Sequence, residues 1–350
     1  MGPEDKTGTE AMRCMVLDQP GARLREEQRA LPACVGSSVL IRVHACGVCR
    51  TDLHLQDGDL PAASYPRVPG HQAVGEVVAR GPDAVLPLGA WVGAAWLAGS
   101  CGHCGFCRSG RENLCDQATF HGCHVDGGYA SHMLADSRYC IPLERTLAAA
   151  AATPLLCAGL IGWRTLRMAG DARSIGIYGF GSAAHLVTQL ARHEGRRVLA
   201  FTTPGDTAAQ DFARELGAAW AGGSDEPTPE PLDAALVFAP VGALVPKALR
   251  DIRKGGTVVC GGIHMSDIPS FPYASLWGER QVRSVANLTR QDGVDFMRAA
   301  AAARITARIS CYPLPQANDA LDDLRAGNVH GTAVLLCSDA ATETQHRPGR

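Results

Sequence analysis

The first part of the chain alternates short apolar runs with glycine, proline and polar punctuation. "MRCMVLD", "SVLIRVHAC", "AVGEVVARG", "GAWVGAAW" and "YASHMLA" have the length and residue types of strands. They predict a mostly β region from Met12 to about Leu143. From about Gly159 the period changes. "SIGIYGFG" is an apolar strand running into a glycine turn, and "SAAHLVTQLARHEG" places apolar residues at helical spacing before a closing glycine. "RRVLAFTT", "DTAAQDFARELGA", "LDAALVFAP", "LVPKALRDIRKGG" and "TVVCGGI" then predict strand, helix, strand, helix and strand. That alternation implies a doubly wound parallel sheet. Beyond about Thr289 the texture is mixed again, and "GTAVLLC" is expected to be the last strand. Residues 1 to about 11 and 339 to 350 read as loose polar ends.

Length and composition narrow the class. A chain of 350 residues suggests two domains, and 46% hydrophobic with 19% charged residues is globular. A formal charge of −2 offers no electrostatic reason to expect a nucleic-acid or anionic-membrane partner. The apolar run Leu147 to Trp163 is interrupted by Pro154 and falls short of the roughly 20 residues of a span, so it is expected to be buried core. "MGPEDKTGTE" has neither a basic nor an apolar segment, which argues against a secretion signal. With fourteen cysteines, that points to a reducing, cytoplasmic location and to metal binding rather than disulfides.

The cysteines also carry the chemistry. Cys101, Cys104, Cys107 and Cys115 fall within fifteen residues and can set four thiolates around one tetrahedral ion, the pattern of a closed structural zinc site. An iron–sulfur run would usually continue C-x3-C-P, whereas here Cys115 follows seven residues later and precedes Asp116. Another C-x-x-C, Cys46 and Cys49 in "ACGVCRTDLH", has no matching pair outside that lobe; half of a zinc knuckle, a thiol pair, or a single working cysteine all remain open. Single candidates to join it stand at His71 in "VPGHQAVGEVV" and at Cys157 in "PLLCAGLIGW". A glycine loop, Gly179-Phe-Gly181-Ser182-Ala183-Ala184, follows a predicted strand and opens a predicted helix, the context in which small residues admit a dinucleotide pyrophosphate to a helix N-terminus.

In their order along the chain, "GVCRTDLH", "PGHQAVGEVV", the four-cysteine lobe, "VDGGYA", "PLLCAG" and "GFGSAAHLVTQLAR" resemble the zinc-dependent medium-chain alcohol dehydrogenases over roughly residues 12 to 338. The resemblance implies an α/β architecture: a GroES-like β-rich catalytic domain over 12–158 and 290–338, with a structural zinc lobe at 99–116, and a Rossmann cofactor domain over 159–289. It implies Cys49, His71 and Cys157 as catalytic zinc ligands, with Cys46 a buried bystander. Thr51 would start a proton relay and His54 would end it, Asp52 would orient His71, and Arg50 would clamp the cofactor pyrophosphate. Gly262, Ile263 and Ala286 would lie against the nicotinamide.

Two departures from the family pattern stand out. Thr202 and Thr203 occupy the end of the second strand, where an acid usually meets the ribose of NAD, so NADP(H) is expected over NAD(H). Gln72 stands where the family usually has glutamate. His103, His121, His124 and His185 read as structural or surface histidines. The expectation is therefore a zinc-dependent alcohol dehydrogenase or aldehyde reductase with two zincs per chain, acting on a small alcohol or aldehyde as a homodimer or homotetramer. A polyol, sugar or biosynthetic-intermediate dehydrogenase, or a low-activity regulatory protein binding zinc and nucleotide, are the alternatives.

Overall fold

In a computed structural model of the protein, residues 11–60, 62–329 and 331–338 are described; the two polar ends read from the sequence lie outside them. The chain divides into two compact units, 1–157 with 308–350, and 158–307.

The first unit is built on a seven-stranded sheet. Ser38–Val48 is its spine, pairing antiparallel with Ala73–Arg80, Thr332–Leu336 and His132–Asp136, while Ile309–Pro313, Trp91–Ala94 and Ile141–Pro142 extend it. Val39, Ile41, Val43, Leu335 and Val77 fill the core beneath it. Each such buried side chain contributes about 2 kcal/mol of hydrophobic stabilisation. The register sets Cys46 opposite Ala73, so the strand exit at Cys49 and the loop carrying His71 emerge side by side. "REEQRA" forms an unpredicted strand, Arg25–Ala30, paired with Ala11–Val16. Its charged residues gave no apolar alternation to read.

The second unit is the expected doubly wound sheet, six parallel strands in the order Trp220–Gly223, Arg197–Thr202, Ser174–Tyr178, Leu232–Val237, Ile252–Cys260, Gln281–Ser284. This order, reversing between the first and fourth strands of the unit, is that of dinucleotide-binding domains. Ile175, Ile177, Leu199, Phe201, Leu236 and Val258 have at most traces of exposed surface, as expected for strands covered on both faces.

The structure moves two sequence-based boundaries. "LVPKALRDIRKGG" is helical only over Leu244–Asp251; Ile252 onward joins the next strand. The second unit also runs past residue 289, to Ala307, because helix Arg290–Ala302 packs on helix Ala158–Met168. There Arg164 meets Asp292 at 2.5 Å, and the rings of Trp163 and Phe296 lie 6.0 Å apart.

The apolar run at 147–163 is broken as Pro154 suggests. Helix Ala149–Ala152 and the turn Thr153–Leu156 are bent by 41° from helix Ala158–Met168; eight of the seventeen residues of the run are buried and only Ala148 is exposed. Among the described residues no single helix is long and apolar enough to cross a membrane. Cys157 sits at the break, outside both helices.

Candidate metal centre and dinucleotide loop

Three elements deliver the first donor set. Cys49 is the N-cap of helix Arg50–Asp57, and its Sγ accepts from Thr51 N at 3.4 Å. His71 arrives from the neighbouring strand end, and Cys157 from the helix break. The Cys49 Sγ lies 3.2 Å from His71 Nε2 and 4.0 Å from Cys157 Sγ. Ligands about 2.0–2.3 Å from a tetrahedral zinc would stand about 3.6–3.8 Å from one another, so the three atoms fit such an ion. Among the described residues no further histidine, cysteine or carboxylate joins them. A set of two thiolates and one imidazole leaves one coordination position for water or substrate.

The electrostatics agree with a site made for a cation. The hydrogen bond from Cys157 foremost, with the charge on His71 adding, holds the Cys49 thiol well below its ordinary range against the effect of burial. Cys157 is pushed well up by that same bond and by burial. Asp52 is buried, and its Oδ2 accepts from Cys49 N at 2.9 Å while its Oδ1 stands 3.3 Å from His71 Nδ1. One carboxylate thus caps the helix and faces the imidazole. Cys46 is fully buried and burial drives its thiol well up, as suits a bystander. Gln72 is also fully buried, and neither atom of its carboxamide finds a hydrogen-bond partner.

Thr51 and His54 are three residues apart on helix Arg50–Asp57, hence neighbours on one face. His54 Nδ1 lies 2.9 Å from Asp59 Oδ2. That carboxylate was missed in the sequence, because it lies beyond the left-handed Gly58 that ends the helix. Arg50 is exposed at the first helical position.

The four-cysteine set converges independently. Cys101, Cys104, Cys107 and Cys115 offer sulfurs within 4.8 Å of one another. The Cys101–Cys107 and Cys104–Cys107 separations are 3.8 and 3.5 Å, close to the edge of a zinc–thiolate tetrahedron. Backbone N–H groups of Cys104, Cys107 and Gln117 donate to Cys101, Cys104 and Cys115. Such bonds favour thiolates: the Cys101 thiol is lowered to about 6, chiefly by backbone N–H donors at 103 and 104. Ser100 Oγ adds a contact to Cys107 at 3.2 Å. His103 takes no part; its Nδ1 meets Cys101 O at 2.8 Å.

In the second unit the predicted glycine-loop and nicotinamide residues follow the carboxyl ends of parallel strands. Gly179 to Ala184 follow Ser174–Tyr178; Gly262 and Ile263 follow Ile252–Cys260; Ala286 follows Gln281–Ser284. Gly179 has φ +90°, and a Cβ there would come 2.7 Å from Ala239 N. Gly181 is the N-cap of helix Ser182–His193 without a side-chain cap bond, and a Cβ on it would meet only open space. A helix start without a side-chain cap is the kind of N-terminus that receives an anion. Ala183 and Ala184 belong to that first turn, and Ala184 is buried. Ile263 is half exposed. Thr202 departs from expectation: it is buried, its hydroxyl 3.3 Å from Gly222 O and 3.2 Å from Gln210 Nε2. Only Thr203 is exposed at the strand end, and Asp206 caps the next helix through Ala209 N.

Known proteins share this architecture. Residues 36–145 match the alcohol dehydrogenase GroES-like domain. The chain is 42% identical over 315 residues to a probable alcohol dehydrogenase, AdhA, of Mycobacterium tuberculosis, covering 87% of this chain and 90% of that one. It belongs to the medium-chain alcohol dehydrogenase family. Another alcohol dehydrogenase, from Geobacillus stearothermophilus, is 32% identical over 342 residues, covering 93% of this chain and 99% of its own. Among solved structures, that of AibC superposes with a TM-score of 0.87 at 28% identity, over 97% of this chain and 99% of that one. The GroES-like match contains Cys49, His71 and the four-cysteine lobe of this alcohol dehydrogenase, and ends before Cys157.

Proposed function

We propose that this alcohol dehydrogenase interconverts small alcohols and aldehydes through a catalytic zinc held by Cys49, His71 and Cys157, with a second, structural zinc in the four-cysteine lobe. The observation that carries the reading is the convergence of three donors on one point with one position left open. Zinc bound there supplies Lewis acidity toward the substrate oxygen. A nicotinamide dinucleotide at the Gly179–Ala184 loop supplies the hydride acceptor or donor.

The chain's own groups handle position and proton. Thr51, placed by the Cys49 cap, takes the hydroxyl proton; His54, on the same helix face and braced by Asp59, passes it outward. Asp52 holds the His71 ring. The uncapped helix start at Gly181 binds the pyrophosphate. NADP(H) is favoured because Thr203, the exposed residue at the end of the second strand, is neutral and would not repel a 2'-phosphate.

The protein acts as a homodimer or homotetramer. In support, the edge strand Gln281–Ser284 is exposed along its whole length, flanked by exposed Tyr273 and Trp277. All fourteen cysteines are free, which supports a reducing cytoplasmic setting. Zinc analysis of the purified chain with NADPH- and NADH-linked aldehyde reduction tests the reading. Two zincs and faster NADPH oxidation are expected; a single zinc with no turnover would defeat it.

A further inference from the structure

The segment Gly127–Tyr129 is laid against the segment that leads into His71. Gly127 N donates to Val68 O at 2.8 Å, Gly128 N to Gly70 O at 2.9 Å, and Tyr129 N to Pro69 O at 3.0 Å. The Tyr129 ring is fully buried and occupies the space over Gly70, whose φ is +98° and where any Cβ would collide with that ring. The ring thereby shapes the turn immediately before the imidazole.

The hydroxyl at the end of that ring poses a separate question. It is buried without a hydrogen bond of normal geometry, an arrangement that is unfavourable unless something compensates it. The acceptor it faces is the buried Asp52 carboxylate. Burial first, and then the Asp52 charge, keep the phenol protonated far above its usual range, so it can only donate there. His71 Nδ1, 3.3 Å from the same carboxylate, also falls short of an aligned bond. Two donors from different segments thus converge on one carboxylate that already accepts from Cys49 N.

We propose that Tyr129 is a positioning residue for His71: when the metal is bound, its hydroxyl and the His71 Nδ1–H both donate to Asp52, fixing the imidazole with Nε2 toward the ion. The inference rests on the metal site proposed above. A carboxylate gripped by three donors has one orientation, and an imidazole bonded to it keeps the tautomer whose Nε2 lone pair is free. Ring and hydroxyl have separable tasks, since the first sets the Gly70–His71 turn and the second steers Asp52.

Tyr129→Phe separates them, because it keeps the ring. Zinc-loaded wild type and variant are treated with a chelator, and zinc per chain is followed alongside the melting temperature of the metal-free forms. The zinc at Cys49, His71 and Cys157 should be held about 10- to 100-fold more weakly in the variant. The four-cysteine zinc should be unchanged and the metal-free melting temperature nearly so. Cobalt placed in the vacated site should show an altered ligand-field spectrum. Unaltered retention of the zinc at Cys49, His71 and Cys157 and an unaltered cobalt spectrum would overturn the proposal, whatever happens to melting. A wild type that holds only the four-cysteine zinc would remove the metal-site reading itself, and this proposal with it.

Discussion

The Cys49 Sγ lies 3.2 Å from His71 Nε2 although 22 positions separate them in sequence. The cause is strand register: Cys46 pairs with Ala73, so the exit of one strand and the entry of the next share an end of the sheet. Cys157 completes the group because the apolar run at 147–163 breaks at that residue instead of continuing as helix.

The two threonines at the end of the second strand separate cofactor choice from stability. Thr203→Asp places a negative charge where the neutral side chain now stands, and should raise KM for NADPH relative to NADH by about 10-fold, from a repulsion of ~1–2 kcal/mol. Thr202→Ala should lower stability without changing that ratio, since its hydroxyl is committed to Gly222 and Gln210. Steady-state kinetics with both cofactors checks this; an equal shift from both variants would refute the assignment.

The glycine loop makes a paired prediction. Gly179→Ala forces a side chain into a left-handed backbone position against Ala239, and should lower the denaturant midpoint by the equivalent of about 1–3 kcal/mol. Gly181→Ala meets open space at φ −103°, so it should fold normally and weaken cofactor binding alone. Chemical denaturation and cofactor titration of both variants separate the two effects.

How much of this was legible in the sequence follows from what pattern can encode. The clustering of Cys101, Cys104, Cys107 and Cys115 was readable because the four lie close together in sequence. Cys49, His71 and Cys157 needed the family resemblance, since their meeting depends on strand register and a helix break. Which threonine faces outward was not readable: "VLAF" is buried on both faces of a parallel sheet, so the strand shows no alternation. Gln281–Ser284 and Trp220–Gly223 were missed as strands of only four residues. The extension of the second unit past 289 depends on the Arg164–Asp292 and Trp163–Phe296 contacts, which no local pattern announces.

His121 predicts an acid limb of stability. It is fully buried, its Nδ1 is 2.7 Å from Ala95 O, and burial lowers its pKa to about 4. The unfolded chain, with a pKa near 6.5, binds the proton more readily, so stability is complete above about pH 6.5 and falls as pH drops toward 4. The loss is about 3 kcal/mol over that window. Urea unfolding at pH 7 and pH 4.5 should show it, and His121→Gln should flatten it; an unchanged slope in the variant would contradict the assignment.

The structural lobe should behave as a local staple. Cys104→Ser should remove one zinc and lower the melting temperature by at least about 5 °C, taking ~2 °C per kcal/mol lost. The zinc at Cys49, His71 and Cys157 should remain, and with it turnover at temperatures where the chain is still folded. Differential scanning calorimetry with zinc analysis decides whether stability and turnover separate in this way.

The most direct test of the account is zinc stoichiometry measured together with aldehyde reduction in wild type and Cys49→Ala. The account predicts two zincs per chain in the wild type and one in the variant. Turnover should fall at least about 1,000-fold, the equivalent of several kcal/mol, with dinucleotide binding retained. Two zincs in the variant, or turnover near the wild-type rate, would contradict a catalytic metal at Cys49.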